Sequence, residues 1–374
     1  MFKNVLGICD LHNSPSLGRL TDTRPLGAVT FLGRYGLMDF TLSNFSNSGI
    51  DKVAILVKNH YYAISTHVQS GQIWVNNTKT GYQKIVYNEN CTNELFNTDI
   101  QNILSSRVQI ENKDIDYVVV APAHFLASID FRPIIESHID NHNEITIVYS
   151  RNDKADKDFI NCTLLNLDPR NGVVKSTSLN SGVDKYANIS LDTFIFSKDA
   201  FNKILSNQKN ISTLYSINDM VYYFINSHQL NVNTYAFTGG VFPILSVEDY
   251  VKHSFDMLSH HNRQKLFLPD WPIYTTTHNT PPSLYGKKAV VKNCFIANGS
   301  IIKGKVENCI ISRDVVVEEG ADIKNCIIFT NTYIGKDVKL NYVVCDKGVK
   351  ISQVKNIGGD SLSEPLVIAQ GVNI

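Results

Sequence analysis

Short apolar runs alternate with amphipathic stretches along the first two thirds of the chain. Val5-Leu6-Gly7-Ile8-Cys9 reads as a strand buried on both faces. The 37–48 stretch reads as a helix, with Gly49 where a C-cap glycine belongs. Lys52-Val53-Ala54-Ile55-Leu56-Val57 then reads as a second strand, which completes a βαβ unit. Tyr61, Ile64 and Val68 share one helical face, and 97–107 and 131–141 carry helical patterns too. Apolar runs at 116–120 and 144–148 supply further strands. This alternation predicts an α/β domain built on a doubly wound, mostly parallel sheet. Ligands in such a sheet sit beyond the carboxyl ends of the strands, so the loops after Cys9, Val120 and Ala236 are the places to look.

The pattern changes in the last third. Val291-Lys292-Asn293-Cys294, Val306-Glu307-Asn308-Cys309 and Ile323-Lys324-Asn325-Cys326 are one phrase written three times, and Leu340-Asn341-Tyr342 opens a fourth. Val306, Ile311, Val317, Ile323, Ile328, Ile334 and Leu340 recur at intervals of five or six residues, with glycines between. Three such hexapeptides, roughly 18 residues, make one three-sided coil of a left-handed parallel β-helix. The expected domains are therefore 1–268, α/β, and 269–374, linker and β-helix. A solenoid of few coils needs its open ends covered, which makes oligomerisation reasonable. Cys294, Cys309 and Cys326 fall in successive coils and read as a stacked row of small buried residues.

Charge narrows the partners. The 374 residues hold 35 Lys and Arg against 35 Asp and Glu, so the basic footprint of a nucleic-acid or anionic-membrane binder is missing. No apolar run reaches transmembrane length, and Asp10 follows the first apolar run too soon for a signal peptide. Seven cysteines without a CxxC pair argue for reduced thiols in a cytoplasmic protein, against a disulfide framework and against zinc. His260 and His261, near a helix end, read as exposed or dipole-facing rather than metal-binding.

Gly33-Arg34-Tyr35-Gly36-Leu37-Met38-Asp39-Phe40, Thr41-Leu42-Ser43-Asn44 and Asn47-Ser48-Gly49-Ile50 resemble the N-terminal region of bacterial ADP-glucose pyrophosphorylases (glucose-1-phosphate adenylyltransferases). Trp271-Pro272-Ile273 is similar to the segment that joins that family's two domains, so the resemblance spans nearly the whole length. It implies an enzyme that closes a glycine-rich loop around a triphosphate and neutralises charge with a lysine and Mg²⁺-holding aspartates. Those positions depart from the family pattern. The loop Asp10–Leu20 keeps only Gly18, Arg19 and Leu20, and Pro15 lacks an N–H. Leu26 stands at the family's lysine, and Ala123 and Pro243 stand at its two metal aspartates. Glu94–Asn97 lacks the segment that touches the base, and Lys175–Leu179 shows no sugar-phosphate lysine motif.

Nucleotidyl transfer is positioning plus charge neutralisation. One lost clamp costs about 10²–10³ in rate, so losing several leaves almost nothing. The resemblance thus implies a non-catalytic or weakly active regulatory subunit of the GlgD type. It would carry no cofactor of its own, with Mg²⁺ on the catalytic partner, in a hetero-oligomer expected to be a heterotetramer; alone it would form a homo-oligomer. Gly18, Arg19, Arg24 and His124 would line a degenerate nucleotide or sugar-phosphate pocket, with surface pairing the alternative for both arginines. Arg34 matches a family residue that helps bind effectors, so the resemblance implies an effector or interface role for it. Asp39, within a helix, reads as a structural or interface hydrogen-bonder. Ser43, Asn44, Asn47 and Ser48 would cap and shape the helix and its interface rather than do chemistry. One rival is an active enzyme with a rearranged site using Asp10, Asp22 or Glu94; another is a sugar-phosphate sensor without turnover. An acyltransferase reading fails on the lack of any histidine in 286–374.

Overall fold

The computed structural model describes residues 4–69, 71–89, 91, 93–106, 114–230 and 232–374. They form two compact units. The first comprises the chain up to Ser14, Met38–Pro243 and Pro269–Tyr274; the second comprises Pro15–Leu37, Ile244–Leu268 and Thr275–Ile374. No helix among the described residues is long and apolar enough to cross a membrane.

The first unit is built on nine strands: β1 (Val5–Asp10), β2 (Lys52–Val57), β3 (Tyr82–Tyr87), β4 (Tyr117–Pro122), β5 (Ile145–Asn152), β6 (Thr163–Leu167), β7 (Val174–Leu179), β8 (Ala187–Ser197) and β9 (Val232–Phe237). Their order is β7-β6-β8-β4-β1-β2-β3, and β5 joins β8 to β9 as a branch. The ladders among β4, β1, β2 and β3 are parallel, as is β5 with β9. All six residues of β1 and of β2 are buried, which is why both read as unbroken apolar runs. The parallel ladders are extended by antiparallel strands: β8 pairs that way with β4, β5 and β6.

Among the described residues six helices accompany the sheet: α1 (Met38–Asn47), α2 (Tyr61–Val68), α3 (Asp99–Ser105), α4 (Phe131–Asp140), α5 (Lys198–Ile211) and α6 (Ile217–Asn226). Their starts are set by caps. Thr98, Asp130, Ser197 and Ser216 each accept a backbone N–H of the first turn. The helix expected over 97–107 accordingly begins after Thr98, and Arg107 lies outside the described residues. Gly49 ends α1 with φ at 77°, the left-handed conformation a C-cap needs. Leu6, Ile8, Leu56, Val120, Phe194 and Phe196 bring the sheet into one core with Phe201, Met220 and Phe224 of α5 and α6.

In the second unit a parallel β-helix follows two helices, α7 (Val247–Asp256) and α8 (His260–Leu266). One ladder stacks Leu284–Tyr285, Ile301–Ile302, Val316–Val317, Tyr333–Ile334 and Lys350–Ile351. The other begins with Val290–Ile296 on Lys305–Ile311, and both strands turn a corner in mid-course. The corners are Asn293, Asn308 and Asn325, at φ 49°, 51° and 50°; asparagine tolerates this conformation better than most residues. Their side chains run a continuous chain of hydrogen bonds: Asn293 to Asn308 (2.9 Å), Asn308 to Asn325 (2.7 Å) and Asn325 to Asn341 (2.9 Å). The repeated Asn-Cys phrase therefore records a left-handed corner followed by an inward-facing position. Cys309 and Cys326 are buried among Val306, Ile311, Ile323 and Ile328, and Cys294 stacks on Cys309. His260 and His261 are exposed at the first residues of α8.

Candidate functional site

The loop leaving β1 spends its polar groups on itself. Asp10 Oδ1 accepts the backbone N–H of His12 at 2.8 Å, and the N–H of Leu11 goes to the Leu56 carbonyl at 3.0 Å. Asn13 Nδ2 donates to Asp10 Oδ2 (3.0 Å) and to Asp99 Oδ2 (2.8 Å), bridging two carboxyl groups. Asp99 also accepts from the N–H groups of Ile100 and Ile217, which ties α3 to the start of α6. Burial, aided by the Asp10 carboxylate, pushes the Asp99 carboxyl up to about 8; burial raises Asp10 as well. Backbone donors that a phosphate cradle would present are turned instead onto a side chain and a neighbouring strand.

Beyond β4 the chain enters a two-residue ladder in which Phe125 pairs with Pro243 and Leu126 with Phe242. This ladder brings position 243 beside the loop that holds Ala123, so two residues assigned from separate parts of the sequence share one place. Ala123 is buried, and neither position carries a carboxylate. His124, next along, faces Asp192 (Nε2 to Oδ2, 3.7 Å), and its Nδ1 is buried with no hydrogen-bond partner among the described residues. Asp192 sits at a bulge of β8 with φ at 47° and accepts the Tyr222 hydroxyl at 2.6 Å. Burial and that carboxylate push the Tyr222 phenol upward.

Gly18, Arg19, Arg24, Leu26 and Arg34 all belong to the second unit. Gly18 has φ at 53° and Arg19 is exposed. Leu26 is buried in a short 3-10 turn, Leu26–Ala28. Arg24 is only 3% exposed, and its Nη2 meets Asp346 Oδ2 at 2.6 Å. Arg34 stands on a hairpin in which Phe31 pairs with Tyr35. Gly33 holds that hairpin close to the β-helix: a Cβ there, at φ 71°, would lie 2.8 Å from the Ile311 carbonyl oxygen. The result is a cavity of about 490 Å³ lined by Arg34, Arg263, Arg313, His278 and the rings of Tyr35, Phe267 and Phe295, with no acidic residue. Arg263 is fixed there by two carbonyls, Met257 and Leu258, each at 2.8 Å, and its guanidinium lies over Phe295.

Known proteins align with both units. Residues 17–158 match a family described as nucleotidyl transferase, and residues 282–365 match one described as GlmU-like, C-terminal hexapeptide. The glycogen biosynthesis protein GlgD of Bacillus subtilis (strain 168) is 30% identical over 382 residues, covering 100% of this chain and 98% of that protein. The chain is a GlgD-type member of the glucose-1-phosphate adenylyltransferase family. A GlgD of Geobacillus stearothermophilus is 29% identical over 86% of this chain and 83% of that one. A glucose-1-phosphate adenylyltransferase of Corynebacterium diphtheriae is 26% identical over 91% and 84%.

The residues present do not fit the family's Mg²⁺. A hard divalent cation wants oxygen ligands, and the two positions expected to supply carboxylates hold an alanine and a proline. Among the described residues no three His, Cys, Asp or Glu side chains are grouped to hold a metal. Of the carboxylates a rearranged site would use, Glu94 and Asp22 are exposed and Asp10 is engaged by His12 and Asn13. Several residues of this GlgD-type chain gave no local signal in its sequence. Asp192 lies in the middle of β8 with nothing local to mark it, and Arg263, His278 and Arg313 lie far apart in the sequence and only the folded unit assembles them. Asp99 follows the Thr98 cap and reads locally as an ordinary first-turn acid.

Proposed function

We propose that this chain is the regulatory, non-catalytic subunit of a glucose-1-phosphate adenylyltransferase assembly in bacterial glycogen biosynthesis. The glycogen role is supported by the names of its GlgD relatives. The observation that supports the non-catalytic reading is the pairing of Phe125 with Pro243 beside Ala123: the two positions at which the family resemblance expects metal carboxylates lie together and hold a proline and an alanine. Docking on a catalytic paralogue would favour that partner's active conformation, a population shift requiring only differential affinity for its two states. The cavity of Arg34, Arg263 and Arg313 suits an anionic effector, because its lining gathers three guanidiniums and a histidine and includes no acidic residue.

The test is to assay ADP-glucose formation from ATP, glucose 1-phosphate and Mg²⁺ with this chain alone, with the catalytic paralogue alone, and with both. Activity of the isolated chain is expected at under about a hundredth of the paralogue's, as loss of even one clamp would give. The mixture should differ from the paralogue alone in kcat or in effector response. Ala123→Asp should restore nothing, since the second carboxylate and the lysine remain absent. Turnover by this chain at the paralogue's rate would overturn the reading.

A further inference from the structure

Cys294, Cys309 and Cys326 form a row of thiols that has no part in the function proposed above. Cys294 and Cys309 are register partners on the parallel strands Val290–Ile296 and Lys305–Ile311. Each sulfur of the row lies against the carbonyl oxygen two residues before it: Lys292 at 3.0 Å, Glu307 at 3.1 Å and Lys324 at 2.9 Å. That shared contact gives the three side chains one orientation. The Cys294 and Cys309 thiols hydrogen-bond each other, and Cys309 meets Cys326 in the same way. Cys309 and Cys326 are fully buried. Cys294 is half-buried, on a strand that pairs on one side only among the described residues, so the row has one accessible end.

A row of sulfurs offers different chemistry from a cluster. Zinc takes four donors in a tetrahedron, and a straight column of thiols cannot surround an ion. Two facing thiolates can hold a soft monovalent ion between them in line. Neighbouring strands lie about 4.8 Å apart, and two metal–thiolate bonds of about 2.3 Å laid end to end nearly cover that span. Among biological metals thiolate sulfur favours Cu(I), a closed-shell ion content with two donors. We propose that Cys294 and Cys309 form a two-sulfur site for one Cu(I) ion at the first coils of the β-helix. The ion replaces both thiol protons: two S–H bonds break, two Cu–S bonds form, two protons leave to solvent, and copper keeps its oxidation state. Both thiols start protonated, Cys294 because its hydrogen bond to Cys309 and then burial hold it above the usual range, Cys309 chiefly through burial. Metal uptake is therefore linked to proton release and strengthens as pH rises. The site does not rest on the regulatory reading.

The test gives the reduced full chain one equivalent of Cu(I) under anaerobic conditions, with bicinchoninate as the competing chelator. One copper per chain should be retained, more tightly at higher pH, and X-ray absorption should show two sulfur neighbours. Cys294→Ser, at a half-buried position, should weaken retention beyond the roughly 10–100-fold that loss of a mere supporting group costs. Cys91→Ser removes a partly exposed thiol elsewhere and should change nothing. Matching melting curves of the metal-free proteins show that the Cys294→Ser fold is intact, and the absorption spectrum of the unaltered chain tests the donor set without any variant. Copper lost wholly to the chelator, copper held equally by Cys294→Ser, or a site of three or four donors that Zn²⁺ fills as well overturns the proposal.

Discussion

Asp99 carries a proton through most of the physiological range because burial and Asp10 disfavour its charged form. The sign of the linkage follows. The folded-state value, about 8, lies above that of an unfolded aspartate, so the native state holds more protons between roughly pH 4 and pH 8. Stability from this group is full below that window and is lost as pH rises through it. Asp99→Asn removes the titration and keeps an oxygen for the Ile100 and Ile217 N–H groups; it gives up the Asn13 bond, a loss that does not vary with pH. Unfolding free energies of the two proteins, measured in urea across pH 4–8, should therefore diverge in favour of the variant by a few kcal/mol at the upper end. Parallel curves would mean that Asp99 ionises normally. The same residue marks a limit of sequence reading: nothing local distinguishes it from an ordinary first-turn acid, because its environment comes from β1 and α6.

Helix α1 is the part of the family's signature that this chain keeps, and its polar residues have structural duties. Asn44 donates to the Ala127 carbonyl and accepts from Trp271 Nε1, both at 2.8 Å. Ser43 accepts the Tyr274 N–H, Asn47 reaches the Pro272 carbonyl, Ser48 accepts the Phe131 N–H and Thr41 donates to the Pro122 carbonyl. Asp39 pairs with His67 at 2.6 Å, in keeping with a hydrogen-bonding role for it. The sequence makes the helix visible, while the destinations of its side chains lie up to 231 residues away and leave no local trace. Asn44→Ala strands a carbonyl and an indole N–H at once and should cost about 2–4 kcal/mol in chemical denaturation. Asn47→Ala, on an exposed contact, should cost about 1 kcal/mol or less. Equal losses would show that Asn44 is not the tie. The β-helix was legible almost in full for the opposite reason: each coil pairs with the next, so partners recur at a fixed spacing and the phrase repeats.

Neither unit is one continuous piece of chain. The β-helix unit includes Pro15–Leu37 and Ile244–Leu268, where Leu17, Leu20, Phe31, Tyr250 and Met257 are buried. Tyr250 packs on Phe31 and Phe329 and donates to the Thr30 carbonyl at 2.6 Å, joining all three segments of that unit. A chain ending at Tyr274 should accordingly expose these residues and be recovered as aggregate or with ANS-binding surface, whereas the full chain should not. A soluble, monomeric 1–274 fragment with a cooperative melt would contradict this. A division at the composition change near residue 269 is what the sequence suggests; the two flanking segments carry no repeat and so give no sign of which unit they join.

The Arg24–Asp346 pair has a consequence for how the chain is born. The two residues are 322 positions apart, and a ribosome adding roughly 5–20 residues per second takes tens of seconds to travel from one to the other. During that interval Leu17, Leu20 and Phe31 have emerged without the coils of the unit in which they will be buried. Synthesis thus leaves the first segment of the unit without the coils that will bury it until the last of them is made, an interval in which its apolar side chains stay open to solvent.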